Sequence, residues 1–341
     1  MSDKIVLVTG ATGRIGRVVV LDLLQRGYRV RALTSRSPPS AGDQRLEWRQ
    51  ADLARNDDLH QLVEGCDAVI HLAAEIGQKS RMRALNEDAT GRLAQAAQDA
   101  GVGTFCYASS VSVYGSGRST EIWEGSPVLS IDEDNASEYW ALDYVREYGR
   151  TKLAGERAIL RVADQMRCFI LRPAVVVDLD QIIGIREWSL VKRMLASHRH
   201  AHHIYVWDVS DALIWSVEQG LASRGKPGDV EIFNLVEDDR LEPRHIDFMR
   251  KAFRASGDPR YRVLSAPPAV DWLHDFLRFR TLPLRNPLWR MRFSGRRLRD
   301  AGYQLKFGMA QAEELALSRL VEQARASVQA EPVQKNNPVQ S

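Results

Sequence analysis

The sequence predicts an α/β fold built on a doubly wound parallel sheet, and three observations lead to that prediction. Short apolar stretches such as KIVLVTG and DAVIHLAA alternate with stretches of helical periodicity such as RIGRVVVLDLLQRG. This alternation is typical of βαβ units, whose helices pack on both faces of a parallel sheet. A chain of 341 residues has room for such a sheet and for a second, smaller region. The regular alternation ends at Pro173, which marks the change between the two.

Each strand and helix follows from a local pattern. The strands are the apolar stretches KIVLVTG, YRVRAL, DAVIHLAA, TFCYASS and RCFILRP, which glycine, proline or polar residues bound. The helices between them are RIGRVVVLDLLQRG, DLHQLVEG, LNEDATGRLAQAAQDAG and REYGRTKLAGERAILRVAD. Beyond Pro173, IYVWDV and EIFNLV predict two more strands, and SDALIWSVEQG predicts the helix between them.

These elements divide the chain into three parts. We expect residues 1–173, joined by residues 204–236, to form the domain that contains the parallel sheet. Residues 174–203 and 237–323 are less regular, and we expect them to form a smaller C-terminal α/β region that binds the substrate. Residues 324–341 are polar and contain two prolines, so we expect a disordered tail.

Composition excludes several classes of protein. The net charge is only +3, which gives no reason to expect a nucleic-acid partner. Cys66, Cys106 and Cys168 form no metal-ligand pattern, so we expect buried thiols in a reducing compartment. No apolar stretch reaches the length of a membrane span, and the N-terminus enters a strand without a signal-peptide pattern. We therefore expect a cytoplasmic protein.

A glycine-rich turn, TGATGRIG, follows the first predicted strand and opens the first helix. Gly10, Gly13 and Gly16 allow a tight turn and a close approach of the backbone to a pyrophosphate. The helix N-terminus behind them offers free N–H groups to the phosphates. Because the turn lies at the first strand–helix junction, it predicts a Rossmann-type dinucleotide-binding domain.

The end of the second strand carries information on the choice of dinucleotide. NAD sites place an Asp or Glu there for the ribose hydroxyl, whereas this strand ends in Thr34, Ser35 and Arg36. Arg14, within the glycine turn, can reach the same region. We therefore predict NADP, with NAD as the alternative. The competing interpretation is that Arg36 is an ordinary solvated loop residue.

The stretch EYGRTKLAGE places Tyr148 and Lys152 four residues apart in a predicted helix, on one face and one turn apart. A fixed positive charge lowers the pKa of a neighbouring tyrosine, so this pair suits proton transfer near neutral pH. The simpler alternative is a solvated helix face with one aromatic side chain.

Several motifs in this order resemble the extended short-chain dehydrogenase/reductase family, over about residues 4 to 320. They include TGATGRIG, ADL, HLAA, NEDAT with Asn86 and Thr90, YASSVSVYG, YGRTK, LRP, YVWDVSDAL, IFNL and FSGRRLRDAGY. The resemblance implies that Ser110, Tyr148 and Lys152 are catalytic. It implies cofactor binding by Gly10, Thr12, Gly13, Arg14, Ile15, Gly16, Ser35, Arg36, Asp52, Leu53, Leu72, Ala73, Ala74, Tyr148, Lys152 and Pro173. It also implies a homodimer, joined by the helix from about 85 to 101 and the helix bearing Tyr148.

The chain departs from the family pattern at two places. Dehydratases of the family carry an Asp–Glu pair where this chain has Val111 and Ser112, so 4,6-dehydration is not expected. The stretch SHRHAHH holds His198, His200, His202 and His203, for which we expect solvated side chains and no metal. Arg199 could contact a substrate diphosphate.

A segment from Arg278 to Arg299 contains eight arginines and no acid. Its arginines could bind a substrate diphosphate, the whole segment 272–299 could contact a membrane surface, or it could be a solvated face.

Three functions of the protein remain open. The first is an NAD(P)-dependent epimerase or reductase of a nucleotide sugar. The others are an NADPH-dependent reductase or dehydrogenase of a hydrophobic ketone or lipid-linked sugar, and a non-catalytic cofactor sensor.

Overall fold

The computed structural model of the chain describes residues 3–39, 42–55, 58–115, 119–131, 143–197, 199–222, 228–239, 244–256, 262–279 and 290–330. His198, residues 280–289 of the arginine-rich segment and residues 331–341 of the expected tail lie outside these ranges. None of the described helices is long and apolar enough to cross a lipid bilayer.

Eleven strands are described in three sheets. They are β1 Ile5–Thr9, β2 Arg29–Thr34, β3 Leu46–Gln50, β4 Ala68–His71, β5 Thr104–Ala108, β6 Glu121–Ile122, β7 Arg167–Pro173, β8 Val175–Val177, β9 His203–Tyr205, β10 Val230–Leu235 and β11 Arg292–Phe293. The main sheet has seven parallel strands in the order β10-β7-β5-β4-β1-β2-β3. The chain moves outward from β1 to β3 and then crosses to β4 on the other side of β1. The prediction of a doubly wound parallel sheet is confirmed.

Twelve α-helices accompany these strands in the described part of the chain. They are α1 Arg14–Gln25, α2 Leu59–Val63, α3 Lys79–Met82, α4 Thr90–Asp99, α5 Asp143–Leu160, α6 Leu179–Gly184, α7 Leu190–Ala196, α8 Val206–Leu221, α9 His245–Ser256, α10 Pro268–Phe279, α11 Arg296–Asp300 and α12 Gly308–Ala330. A π-helical turn, Arg83–Ala89, precedes α4, and a 3₁₀ turn, Val111–Tyr114, follows β5.

Two apolar cores lie on the two faces of the main sheet. Val6 and Val8 of β1 pack with α1 and α8, whereas Leu7 between them packs with α2, α4 and α5. This alternation follows from the period of two along a strand. Cys66, Cys106 and Cys168 are buried and unpaired with each other, as predicted. The helices cover the two faces of the sheet, so the carboxyl ends of its strands stay uncovered.

The second half of the chain differs from the sequence predictions at two places. Only the start of IYVWDV is a strand, because α8 begins at Val206. The buried residues Val206, Val209, Leu213 and Val217 have the spacing of a helix face. The stretch IYVWDV is too short for its apolar pattern to distinguish a helix from a strand. In addition, α12 continues to Ala330, beyond the expected start of the tail at residue 324. Its final residues, ARASVQA, are rich in alanine, the residue with the highest helix propensity.

Candidate active site

The glycine turn predicted for the cofactor lies between β1 and α1, next to the point where the strand order reverses. Gly10 has a φ of +64°, and a Cβ there would lie 2.9 Å from the backbone nitrogen of Ala73. A Cβ on Gly16 would lie 2.2 Å from the carbonyl oxygen of Gly10. Gly13 caps α1 without a side-chain hydrogen bond to its first turn. The turn therefore leaves the helix N-terminus open to an anion, which fits a dinucleotide pyrophosphate.

A groove of about 500 Å³ runs along the carboxyl ends of β1 to β4. Most of the predicted cofactor-binding residues line it, namely Gly10, Thr12, Gly13, Ser35, Arg36, Asp52, Leu53, Leu72, Ala73 and Ala74. Glu75, Arg81 and Leu85 line it as well and were not predicted. Arg14, Ile15 and Gly16 lie at the start of α1, and Pro173 is buried at the end of β7.

The end of β2 presents hydroxyl and basic groups to this groove. Thr34 is buried, with its Oγ1 3.1 Å from the Thr12 Oγ1, and it accepts a hydrogen bond from the Arg36 backbone N–H. Ser35 and Arg36 are exposed on the groove wall. Across the groove, the Asp52 carboxylate lies 3.3 Å from the Arg81 guanidinium. The Asp52 carboxylate is thus already paired with a cation, and the Glu75 carboxylate of the same groove accepts backbone N–H groups of residues 76–78.

The predicted catalytic serine and tyrosine lie on two elements that pack tightly together. Ser110 follows β5, and its Oγ accepts the Ser112 N–H at 3.1 Å and donates to the Ser112 Oγ at 3.0 Å. Tyr148 is half-buried on α5. The next residue, Gly149, has no room for a side chain, because a Cβ would lie 2.4 Å from the Ser112 carbonyl oxygen. This contact places α5 directly against the turn that carries Ser110.

Lys152 lies one turn after Tyr148 and is almost completely buried. Its Nζ is 4.0 Å from the ring centroid of Tyr107. Burial lowers the pKa of Lys152 to about 7, although the Glu156 carboxylate opposes this change. Burial raises the pKa of Tyr148 to about 12. In the free protein, burial therefore favours the neutral form of both groups.

His71 completes the buried surroundings of Lys152. Its ring stacks on Tyr107, and its two nitrogens lie within hydrogen-bonding distance of Thr9 and Thr90. Burial, together with the Lys152 charge, lowers the pKa of His71 to about 3. His71 is therefore neutral at physiological pH, so that of these two groups only Lys152 can carry a positive charge near neutral pH. The predicted structural Asn86 accepts the Glu75 N–H and donates to the Thr151 hydroxyl, joining the groove to α5.

A buried polar network behind the predicted catalytic residues was not predicted. Arg172 at the end of β7 donates to both oxygens of Glu156, at 2.9 and 2.6 Å. Ser109, adjacent to Ser110, donates to the same carboxylate. Arg172 also donates to the Tyr114 hydroxyl, which donates to Asn234 of β10. The network joins α5 to the ends of β5, β7 and β10. The spacing of Glu156, four residues after Lys152, was the available signal in the sequence.

A smaller cavity of about 50 Å³ lies beyond β7 and β10, on the side expected for the substrate. It is lined by Ala174, His202, His203, Val236, Glu237, Asp238, Arg292 and Phe293. Two of the four predicted loop histidines are therefore on its wall. The His200 ring is tilted by 50° against that of His202, with the ring centroids 5.3 Å apart. Within the described residues, no group of His, Cys, Asp and Glu side chains has the arrangement of a metal site.

The fold and the predicted motifs place the chain among the extended short-chain dehydrogenases/reductases. Residues 6–227 match the NAD dependent epimerase/dehydratase family, and the chain belongs to that family.

Named relatives differ in substrate. The chain is 27% identical over 343 residues to a 3 beta-hydroxysteroid dehydrogenase/Delta 5-->4-isomerase of Mycobacterium tuberculosis, covering 90% of this chain and 88% of that protein. It is also 27% identical over 296 residues to a dihydroflavonol 4-reductase of Hordeum vulgare, covering 70% and 80%. A shorter match, 36% identical over 144 residues, covers 39% of this chain and 42% of a relative from Synechocystis sp..

Solved structures share the fold at lower identity. The structure of MoeE5 in complex with UDP-glucose and NAD superposes with a TM-score of 0.66 at 22% identity, covering 95% of this chain and 99% of that one. At this identity, the similarity establishes the fold alone.

Proposed function

We propose that this protein is an NAD(P)-dependent oxidoreductase that acts on a secondary alcohol or ketone through Ser110, Tyr148 and Lys152. The observation that supports it is the contact of α5 with the turn after β5. Gly149 packs on the carbonyl of Ser112, so the helix bearing Tyr148 and Lys152 lies against the serine-bearing turn. A bound nicotinamide cofactor would supply or accept the hydride. The chain itself binds and orients both partners and moves the proton.

The three side chains have separate roles in this proposal. Tyr148 exchanges the proton on the substrate oxygen, and Ser110 donates a hydrogen bond to that oxygen. The Ser110 hydroxyl can do so by turning away from its present acceptor, the Ser112 Oγ of the same turn. Lys152, as a cation, stabilises the phenolate that forms when Tyr148 loses its proton. Since burial alone favours the neutral phenol, this charge is required for turnover.

For the substrate, the apolar part of the cavity wall beyond β7 favours an apolar ring alcohol or ketone, of which a cavity of about 50 Å³ can hold only one end. Ala174, Val236 and Phe293 supply apolar wall. The two acids on the wall are already bound within the chain, since Asp238 pairs with Arg299 and Glu237 accepts the Met309 N–H. The named relatives that span most of the chain suggest steroid- or flavonoid-like substrates. This reverses the order of the two substrate classes predicted from sequence.

A nucleotide sugar is the second candidate, because Arg292 lies on the same cavity wall. A guanidinium suits bidentate contacts with a diphosphate. The structure of MoeE5, which has the same fold, holds UDP-glucose and NAD and so also favours a nucleotide sugar. Turnover of a steroid ketone and of a UDP-sugar by the purified protein, measured with both cofactors, separates the two candidates.

Substitution of Tyr148 by Phe tests the reaction itself. We expect Tyr148→Phe to fold and bind cofactor normally and to lower kcat by at least about a hundredfold, the usual effect of losing a general acid/base. Tyr28→Phe, at a buried tyrosine before β2, is the matched control and should retain activity. If Tyr148→Phe turns over at the wild-type rate, the assignment is wrong. A non-catalytic cofactor sensor would bind cofactor without turnover in either form.

A further inference from the structure

Arg81 lines the groove predicted to bind the cofactor, although no cofactor motif in the sequence includes it. It belongs to the short helix α3, and its guanidinium lies 3.3 Å from the Asp52 carboxylate. Asp52 follows β3, so this ion pair joins two segments that line the same groove. The other Asp52 carboxylate oxygen accepts the Ala54 N–H at 3.1 Å. A backbone turn therefore orients the carboxylate, which in turn holds an arginine side chain that is 47% exposed.

This ion pair lies at the end of the groove that would hold the adenosine half of a dinucleotide. The Ala51 N–H donates to the Thr34 carbonyl at 3.0 Å, which places Asp52 next to the end of β2. Rossmann sites bind the adenosine ribose at the end of that strand. The proposed catalytic Ser110 follows β5, on the other side of β1, so the nicotinamide half would extend that way. The adenine ring would therefore lie near Asp52 and Arg81.

The charges around Arg81 favour an uncharged base over a phosphate as its ligand. Asp52 already compensates the guanidinium charge, and the Glu75 carboxylate lines the same groove. The pKa of Glu75 is lowered although burial opposes this, because the carboxylate accepts the N–H groups of residues 76–78 and lies near the Arg81 charge. Both carboxylates would repel a phosphate at this position, whereas they would not repel a base. Leu85, one helical turn after Arg81, adds apolar wall for a ring.

We propose that Arg81 binds the adenine ring of the dinucleotide by stacking its planar guanidinium on the base. A guanidinium can stack on an aromatic ring and keep its salt bridge, because its N–H groups point outward in its plane. Asp52 would hold the side chain in place, so that less rotamer entropy is lost when the base binds. The contact would serve NAD and NADP alike, in contrast to that of Arg36. This inference rests on the proposed use of a nicotinamide cofactor.

Binding titrations with the full-length protein, without substrate, test this inference. We expect Arg81→Ala to weaken NADH and NADPH by the same factor, about five- to thirtyfold, the usual effect of losing a stacking contact. ADP-ribose, which has the adenine but no nicotinamide, should lose the same factor in calorimetry. Arg81→Lys keeps the charge without the plane and should bind nearly as weakly as Arg81→Ala. Arg55→Ala is the matched control and should bind like wild type, because Arg55 pairs with the same Asp52 carboxylate at 3.6 Å but is 81% exposed.

Circular dichroism shows whether each variant is folded. A folded Arg81→Ala protein that binds NADH like wild type overturns this inference and leaves the cofactor assignment intact; a loss of NADPH alone would place the 2′-phosphate at Arg81. Wild-type affinity of Arg81→Lys for NADH also overturns it, because charge alone would then make the contact. If NADH is weakened and ADP-ribose is not, Arg81 acts on the nicotinamide half and the inference is wrong. A wild-type protein that binds neither dinucleotide would overturn both this inference and the proposed function.

Discussion

At the scale of single residues, the charge of Lys152, one helical turn from Tyr148, depends on its burial and on the buried carboxylate of Glu156. Lys152 has a pKa of about 7, lowered by burial and raised in part by Glu156. The lysine is a cation below that pH and loses its charge as the pH rises through it. The spacing of Tyr148 and Lys152 predicts that they share one helix face. No local pattern predicts the pair of Arg172 and Glu156, because it depends on β7 lying beside α5.

The Glu156 carboxylate should extend activity to higher pH. In Glu156→Gln, the group that raises the Lys152 pKa is lost, so the lysine should be neutral over a wider range. We expect the alkaline fall of kcat/KM to move to lower pH, while the acidic side changes less. The pH profile of ketone reduction measures this change. An unchanged alkaline limb would show that Glu156 does not act on Lys152.

The same substitution should destabilise the fold. Removing one partner of a buried ion pair costs about 3–5 kcal/mol, and Glu156 and Arg172 are both buried. Glu231→Gln is the matched control, because Glu231 pairs with Arg167 at a partly exposed position. Water can still reach the Arg167 charge when Glu231 is replaced, so the control should lose clearly less stability than Glu156→Gln. Urea denaturation of both variants gives the comparison.

Arg36 should decide the choice of cofactor. It is exposed on the groove wall, where Thr34 replaces the acid that would favour NAD and repel a 2′-phosphate. A charge-assisted contact contributes roughly 1.5–3 kcal/mol, so Arg36→Ala should weaken NADPH about ten- to a hundredfold. NADH should bind the variant as it binds wild type. Arg29→Ala, at the opposite end of β2, is the control in fluorescence titrations. Tighter NADH than NADPH binding by wild type would contradict the predicted preference.

At the scale of elements, glycines determine how closely α5 approaches the sheet. A Cβ on Gly149 would meet the Ser112 carbonyl, and one on Gly155 would lie 2.4 Å from the Asn86 carbonyl. The sequence predicts α5 as a helix from its periodicity, but it does not indicate which face needs glycine. The buried strands β1, β4, β5 and β7 were predicted for the same local reason, an apolar stretch with a clear end. By contrast, the strand–helix boundary at Val206 depends on packing.

Gly149→Ala tests that close approach. The added methyl meets a backbone carbonyl, which cannot move aside as a flexible side chain can. We expect a loss of about 1–3 kcal/mol in stability, as for other overpacked sites. We also expect kcat to fall by up to about a hundredfold, because displacement of Tyr148 relative to Ser110 misaligns the site.

Gly184→Ala is the matched control for this prediction, since Gly184 ends α6 and its Cβ would meet no atom within 4 Å. Its thermal midpoint and kcat should stay close to the wild-type values. If Gly149→Ala behaves like this control, α5 can move away from the serine-bearing turn without loss, and the geometry that supports the proposed reaction is not required.

At the scale of the whole molecule, the two halves differ in how much their sequence predicts. The groove predicted to bind the cofactor is built from strand ends, so the order of the motifs was enough to bring its residues together. The cavity proposed to bind the substrate combines residues from β9, β11 and the segments after β7 and β10. These pieces are irregular and distant in sequence, and their juxtaposition depends on tertiary packing. The sequence therefore predicted loop histidines but not that His202 and His203 share a wall with Phe293.

The predicted homodimer through α4 and α5 depends on a face that the structure shows to be polar. A groove of about 340 Å³ on this face is lined by Arg83, Glu87, Ile131, Glu147, Arg150, Thr151 and Ala154. Leu160 is the only exposed large hydrophobic residue of these two helices within the described ranges. A dimer on this face would be held mainly by ion pairs between copies. Such pairs are screened at high salt, since the Debye length falls from about 10 Å at 0.1 M to about 3 Å at 1 M.

We therefore expect light scattering at micromolar concentration to give a dimer mass in low salt and a monomer mass near 1 M salt, where screening is strongest. Arg157→Glu, at an exposed position of α5, should dissociate the dimer already at low salt by placing an acid among the glutamates of that face. Arg254→Glu, exposed on α9, makes the same charge change elsewhere and should leave the dimer intact. A monomer under all conditions would exclude the dimer. A dimer that resists both salt and Arg157→Glu would place the interface on another surface of the molecule.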